Sequence, residues 1–336
     1  MDTHIKKRKS GHLQICLEKN VNFNISTGFE KYKFIHNALP EINKNDIDLS
    51  GKFLGRRINY PVMISAMTGG NGFAKKININ LARAAQKLKI PMTLGSARIA
   101  IECPDTIDTF DVRRYAPDIP LIANLGAVQL NYCINSDECC DIIEKLDADA
   151  LTLHLNPLQE ALQPFGDINF KGLLQKIKKL RNHLQVPLII KEVGFGISLS
   201  VAERLKKIGI KIIDVAGAGG TSWAAVENYN NPLGKEFWDW GIKTEEAIKA
   251  VRKLKGIKII ASGGIRSGSD IAKSIALGAE LASIGLPLLK PATKSPECVV
   301  KTMKNYLDEL EIIMFCIGAN DNSELKNTKN FFKSVH

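Results

Sequence analysis

The sequence has few of the features of a secreted or membrane-bound protein. Its seven cysteines include no C-x-x-C pair, which argues against a disulfide framework and against a cysteine-based zinc site. No run approaches the roughly 18 uninterrupted apolar residues of a membrane helix. The basic N-terminus leads into no apolar segment of the signal-peptide kind. We therefore expect a cytoplasmic protein with no membrane partner.

Nucleic-acid signals are also missing. The 46 Lys and Arg residues outnumber the 35 Asp and Glu residues and give a formal charge of +11, but they are spread along the chain. The one dense basic cluster is Lys6–Lys9, and neither a basic helix nor an aromatic-interleaved basic strand is present. We expect no nucleic-acid partner, and a basic surface also suits a small polyanionic substrate.

From Pro61 onward the sequence alternates regularly between short apolar runs and stretches with helical spacing. The apolar runs lie at 61–66, 91–94, 120–125, 150–155, 187–191, 211–216, 258–263 and 281–285. The helical stretches lie at 73–89, 105–116, 136–146, 170–184, 200–208, 243–255, 268–278 and 295–315. Eight alternations of this size predict a (β/α)8 TIM barrel. An open doubly wound sheet is the alternative, but its G-x-G-x-x-G fingerprint is absent.

The regions outside this alternation define three segments. Residues 1–60 form an N-terminal extension with weak periodicity and a possible short helix at 28–42. Residues 61–319 form the barrel, which carries an aromatic-rich insertion after the sixth strand at 223–242. On a barrel this insertion would overhang the catalytic face. Residues 320–336 form a polar C-terminal tail, which we expect to be partly frayed.

The strand ends carry small, polar or charged residues, as expected where a barrel collects its ligands. Three consecutive ends read GAGGTSW, SGGIR and IGLP, and repeated glycines there favour a phosphate site. Lys191 ends the fifth run and would direct a cation into the same site. His154 and Asn156 share a strand face. Glu160, just beyond, could bind a hydrated Mg²⁺ that bridges to a substrate phosphate.

Taken together, the motifs resemble the type 2 isopentenyl-diphosphate isomerases, which use FMN. The match comprises RKSGH from Arg8, SAMTGG (65–70), LGSAR (94–98), ANLGA (123–127), LHLNPLQEALQPFGD (153–167), KEVGFGIS (191–198), VAGAGGTSW (215–223), DWGI (239–242), SGGIRSG (262–268) and GLPLL (285–289). The chain departs from the family at Ala97, where Gln is common, and at Lys243, where Pro is common.

The resemblance implies site residues by motif match. For FMN they are Ala66, Met67, Thr68, Ser96, Asn124, Lys191, Thr221, Gly263, Gly264, Arg266, Gly285 and Leu286. For the diphosphate substrate they are Arg8, Lys9, Ser96, Arg98, His154, Asn156 and Gln159. Glu160 would bind Mg²⁺, and the basic N-terminal cluster would form a lid. Gln159, His154 and Lys191 would act in catalysis together with reduced FMN.

The resemblance also implies an activity. The enzyme would interconvert isopentenyl diphosphate and dimethylallyl diphosphate by adding and removing protons, with no net redox change. NADPH would only reduce the flavin, and the chain would form a homo-oligomer, a tetramer or an octamer. The alternative is an FMN-dependent oxidase or dehydrogenase of 2-hydroxy acids, with His154 as the base and Arg266 on the substrate carboxylate.

Overall fold

The computed structural model describes residues 2–334, with side chains from Arg8 onward. Eight of its twelve strands are parallel, hydrogen-bond side by side and form a closed barrel; the other four form two two-stranded sheets. The strands are β1 Tyr32–Phe34, β2 Gly51–Phe53, β3 Arg56–Ile58, β4 Val62–Ile64, β5 Met92–Thr93, β6 Leu121–Gly126, β7 Ala150–Leu155, β8 Leu188–Glu192, β9 Ile212–Asp214, β10 Lys258–Ala261, β11 Leu281–Ile284 and β12 Phe331–Lys333. The barrel is β4 to β11 in chain order; six of these strands lie within a predicted run, and β6 and β8 extend one residue beyond theirs, to Gly126 and Glu192. The predicted TIM barrel is confirmed, and the open sheet is excluded.

The helices pack around the barrel and across one end of it. They are α1 Asp2–Glu18, α2 Gly72–Leu88, α3 Arg98–Glu102, α4 Ser136–Lys145, α5 Pro157–Leu162, α6 Leu173–His183, α7 Leu199–Lys207, α8 Trp223–Asn228, α9 Thr244–Arg252, α10 Gly268–Ala276, α11 Leu286–Lys294, α12 Pro296–Ile317 and α13 Asn322–Lys326. Among residues 2–334, no helix combines the length and apolar character needed to cross a membrane.

Strand alternation separates two apolar cores and one polar layer. Outward side chains of the barrel strands pack against the helices. Inward side chains form a floor with the β2–β3 hairpin, made of Phe53, Ile58, Met63, Ile122, Ala150, Ile189, Ile212, Ile260 and Leu281. Two residues further along each of seven strands, the inward positions are all polar: Ser65, Asn124, Thr152, Lys191, Asp214, Ser262 and Ser283. The polar layer at the C-terminal ends of the strands therefore lies on the apolar floor.

The predicted helix at 105–116 is wrong. This stretch forms two 3-10 helices, Pro104–Thr109 and Arg113–Tyr115, between which Phe110 is fully buried. Asp and Thr are poor helix formers, and the chain bends to bring the aromatic ring into the core. The other predicted helical stretches each contain a helix.

The terminal segments also differ from expectation. The predicted short helix at 28–42 is wrong: after a single 3-10 turn at Phe29–Lys31 the chain forms β1, which pairs with β12 of the supposedly frayed tail. The Tyr32 and Phe331 rings stack at 5.3 Å and stabilise this pairing. At the other end, the weakly periodic basic segment belongs to α1. Lys6 and Lys7 lie outside the residues whose side chains are described.

The barrel floor provides a stability prediction. Phe53 is 3% exposed, so Phe53→Ala leaves a cavity and should lower the free energy of unfolding by about 3 kcal/mol. Phe332→Ala removes the same group from a position that is 44% exposed and should change the free energy of unfolding little. Urea denaturation of both variants checks this, and equal effects would show that the hairpin does not close the barrel.

Candidate active site

One cavity at the C-terminal ends of the barrel strands contains every predicted site residue on its wall. These residues are Arg8, Lys9, Ala66, Met67, Thr68, Ser96, Arg98, Asn124, His154, Asn156, Gln159, Glu160, Lys191, Thr221, Gly263, Gly264, Arg266, Gly285 and Leu286. Helix α1 and the insertion helix α8 border the same cavity. Ala97, which departs from the family pattern, is fully buried and is not on this wall.

The ends of β10 and β11 form a surface suited to an anion. Gly263 and Gly264 have φ of +97° and +78°, and a Cβ on either would collide with neighbouring backbone. A Cβ at Gly285 would meet only Ser65, at 3.5 Å, so this backbone faces open space. Gly285 is also the N-cap of α11 and provides no side-chain cap for the first N–H groups. Pro287 has no N–H and the Leu288 N–H donates to Gly285 O, so the Leu286 N–H is the group of this first turn that remains available to an anionic ligand.

Lys191 places a buried cation at the inner end of the cavity. Its Nζ donates to Glu192 O at 2.5 Å and lies 3.9 Å from Asp214 Oδ2. The Asp214 carboxylate accepts a hydrogen bond from Ser262, and burial raises its pKa. A charge this deeply buried is stable only when it is paired and hydrogen-bonded. The sequence predicted Lys191 but not its carboxylate partner.

His154 is a neutral hydrogen-bonding group at this site. It stands beside Lys191 in the barrel register, and its Nδ1 lies 2.8 Å from Asn124 Oδ1. Burial, together with the positive charges of Lys191 and Lys9, lowers the pKa of His154 to about 3. Because the amide oxygen can only accept, Nδ1 carries the proton and Nε2 is left as an acceptor.

The segment after β7 forms a cluster of polar groups around Glu160. Its carboxylate accepts from Asn156 Nδ2 at 2.9 Å, from the Asp167 amide at 2.7 Å and from Gln163 Nε2. Asn156 Oδ1 is buried and has no hydrogen-bond partner among the described residues. Within 2–334 no group of three His, Cys, Asp or Glu side chains is placed to bind a metal. A cation here would rely on Glu160, neighbouring amide oxygens and its own waters.

Two cationic side chains lie close to this cluster. Arg98 donates to Glu102 Oε1 at 2.6 Å and to Asp167 Oδ2 at 2.5 Å. Lys9, on α1, donates to Ser96 O at 2.6 Å. Burial, helped by the charges of Arg8 and Arg98, lowers the pKa of Lys9 to about 7. An anion bound here would favour the charged form of Lys9.

Three residues that sequence reasoning missed complete this side of the cavity. Glu227 is fully buried on α8, and its Oε1 accepts from Gln159 Nε2 at 3.2 Å. His12 Nε2 lies 3.2 Å from the same oxygen, without hydrogen-bond alignment, and its ring meets the Trp223 edge at 5.5 Å. The available signal was weak, because Glu227 is one of three carboxylates in an insertion predicted to overhang the site.

Comparison with known proteins identifies the family. The sequence profile of the FMN-dependent dehydrogenases matches residues 5–102 and 154–330. An isopentenyl-diphosphate delta-isomerase of Nostoc sp. is 50% identical over 331 residues, which cover 96% of this chain and 95% of that protein. The chain belongs to the type 2, FMN-dependent isopentenyl-diphosphate delta-isomerases. An isomerase of the same name from Rickettsia typhi is 49% identical over 93% of this chain and 94% of its own length. Another from Thermococcus kodakarensis is 45% identical over 95% of this chain and 89% of its own length.

Two similar solved structures have much lower sequence identity to this chain. A flavocytochrome b2 with bound sulfite superimposes with a TM-score of 0.71 at 20% identity, covering 96% of this chain and 83% of that one. A mandelate oxidase with a modified FMN gives 0.65 at 19% identity, covering 93% and 90%. At this level of identity the similarity concerns the barrel fold alone.

The cavity of this isomerase suits FMN. The open Gly285 backbone and the uncapped start of α11 match a phosphate, and Lys191 matches a ring system that carries negative charge. Ser283 Oγ is buried at the cavity wall without a partner among the described residues. The residues present therefore fit this cofactor.

The His154 environment predicts an unusual titration. With a pKa of about 3, the imidazole should stay neutral between pH 5 and 8, so its ring ¹⁵N shifts should not change over that range. NMR of histidine-labelled protein measures this directly, with His154→Asn for assignment and free imidazole added to the sample as a pH reference. A titration with a midpoint near the ordinary value of about 6.5 would contradict the burial argument.

Proposed function

We propose that this chain interconverts isopentenyl diphosphate and dimethylallyl diphosphate with reduced FMN and without net redox change. The observation that carries the proposal is one cavity with two anion-binding ends, formed by Gly264, Gly285 and Lys191 on one side and by Lys9 and Arg98 on the other. One end suits a flavin mononucleotide, and the other suits a diphosphate.

The reaction adds a proton at one end of a double bond and removes another two carbons away, with a developing cation between them. When bound, reduced FMN supplies the proton-transferring group and an electron-rich ring beside that cation. Lys191 favours negative charge on the ring by direct charge pairing, and Asp214 keeps the lysine oriented. Ligands that fill the cavity would displace the water that could otherwise capture the cation.

The diphosphate is bound by Arg8, Lys9 and Arg98, with the amide of Asn156 beside them. Mg²⁺ is held by Glu160, whose carboxylate is already oriented by three hydrogen-bond donors, and the unpartnered Asn156 Oδ1 offers a second oxygen. Binding energy from this unreactive end positions the reacting carbons.

Gln159 orients the hydrocarbon end. Its amide is too weak a base to act alone, and its Nε2 is held in place by a hydrogen bond to the buried Glu227 carboxylate. Neutral His154 contributes a hydrogen bond instead of a charge, because its pKa is too low for it to ionise at neutral pH.

Four further assignments come from the sequence and from the family resemblance. NADPH reduces the flavin, the enzyme is cytoplasmic, and residues 1–60 supply the lid to a barrel domain that ends near residue 319. The chain assembles as a tetramer or octamer, and Trp240, which is 62% exposed on the insertion, offers an apolar contact surface for assembly.

The 2-hydroxy acid oxidase alternative is less well supported. It needs His154 as a base, whereas burial and two neighbouring cations lower the pKa of His154 to about 3. A group this acidic is a poor proton acceptor at neutral pH. Arg266 donates to Asn22 Oδ1, at the outer side of the cavity.

The direct test is an anaerobic incubation with isopentenyl diphosphate, FMN, Mg²⁺ and a reductant. Formation of dimethylallyl diphosphate without net consumption of the reductant is the expected result. Turnover of lactate or glycolate with bleaching of the flavin, and no isomerisation, would favour the oxidase alternative.

Lys191→Ala should abolish most activity and weaken FMN binding at least about tenfold, because a charged hydrogen-bonding group is lost. The variant also leaves Asp214 buried without its cation, which destabilises the fold. The matched control is Lys191→Met with Asp214→Asn, which removes both charges and should restore stability but not FMN affinity. Fluorescence titration of FMN separates the two effects, and full FMN affinity in the double variant would remove Lys191 from the cofactor site.

Glu160→Gln should raise the Mg²⁺ concentration needed for half-maximal activity at least about tenfold and leave FMN affinity unchanged. Glu18→Gln, a change to an exposed carboxylate on α1, should alter neither quantity. Titration of rate against Mg²⁺ provides the measurement. An unchanged metal requirement in Glu160→Gln would show that the metal is bound elsewhere.

A further inference from the structure

The side of helix α1 that faces the cavity changes from charged to apolar along its length. Arg8 and Lys9 line the cavity first, His12 lies near the middle, and Leu13 and Cys16 follow toward the C-terminal end. A prenyl diphosphate has the same polarity, with a polyanionic head and a short hydrocarbon tail. The cavity-facing side of α1 therefore has the charged-to-apolar order of the substrate that the proposed function requires.

Contacts of two side chains in the middle of the helix give it a defined position over the cavity. Lys9 Nζ donates to Ser96 O at 2.6 Å beside the end of β5. One turn later, His12 packs against the Trp223 ring and lies 3.2 Å from Glu227. The apolar half of α1 consequently lies beside the insertion helix α8, away from Arg98.

Leu13 and Cys16 form a closed apolar wall there. Leu13 is 6% exposed and belongs to the main core. Cys16 packs in a small cluster with Val226, Trp223 and Leu286. Burial, with a smaller contribution from the Glu227 charge, raises the pKa of the Cys16 thiol to about 12, so this group is neutral. The wall offers a hydrocarbon neither charge nor strong hydrogen bonds.

The distance along the helix matches a short substrate. Lys9 and Cys16 are seven positions apart, which is about 10 Å along an α-helix. That span accommodates a diphosphate and a five-carbon chain, but an additional isoprene unit would run into the Leu13 and Cys16 side chains. We propose that Leu13 and Cys16 set the chain-length limit of the enzyme by acting as the stop for the hydrocarbon end. This inference rests on the proposed isomerase function.

The test compares three ligands on the FMN-loaded protein with Mg²⁺: pyrophosphate, dimethylallyl diphosphate and the ten-carbon geranyl diphosphate. Calorimetry gives the three dissociation constants. We expect the unaltered enzyme to prefer the five-carbon ligand over the ten-carbon ligand by about 100-fold, because a fixed wall rejects added methylenes. In Leu13→Ala with Cys16→Ala, this preference should fall at least about tenfold, through a gain in geranyl diphosphate affinity. An unchanged preference would overturn the proposal.

Two controls keep the result interpretable. Gln14→Ala alters an exposed position on the same helix and should leave the preference unchanged. Cys16→Met enlarges the wall and should weaken dimethylallyl diphosphate binding several-fold while pyrophosphate affinity stays constant; unchanged binding of the five-carbon ligand would also overturn the proposal. Failure of the unaltered protein to isomerise isopentenyl diphosphate would instead refute the proposed function itself, and this outcome is distinct from both.

Discussion

The alternation of side chains along the barrel strands is the constraint on which the rest of this structure depends. Seven of the eight barrel strands give their inner residues first to an apolar floor and then, two positions later, to a polar layer. A one-residue shift of β8 or β9 would place Lys191 or Asp214 among the surrounding helices. The buried Lys191 is tolerated only because Asp214 and the Glu192 carbonyl lie beside it, on the same layer.

Much of the fold could be predicted because the barrel strands are local signals. A strand buried on both faces must be almost entirely apolar, so the runs ending at Lys191 and Ser262 are visible in the sequence. The segment around Phe110 could not be predicted in the same way, since its course is set by the space available in the core. Similarly, Tyr32 lies in a strand because of a partner strand at the other end of the chain.

The candidate site likewise has one part that the sequence could predict and another part that it could not. The sequence alone indicated that strand ends, Lys191 and the glycines after β10 and β11 converge, since parallel strands all end at one rim of a barrel. Which residues of α1 and α8 reach that rim depends on how separate segments pack. His12 and Glu227 meet across more than 200 positions of sequence; His12 is the last residue of the RKSGH motif, but no periodic or motif pattern includes Glu227. The family resemblance assigned roles to residues within the matched motifs, but it did not predict the contact between His12 and Glu227.

The pairing of β1 with β12 has a consequence for how the chain reaches its final form during synthesis. β1 leaves the ribosome before any barrel strand, whereas its strand partner β12, Phe331–Lys333, follows the last barrel strand. β1 must therefore wait until the whole barrel has been synthesised, and contacts this distant in sequence form slowly. Until then, β1 lacks its backbone partner. A chain truncated before Phe331 would retain every barrel strand but leave an unpaired β edge at Tyr32–Phe34.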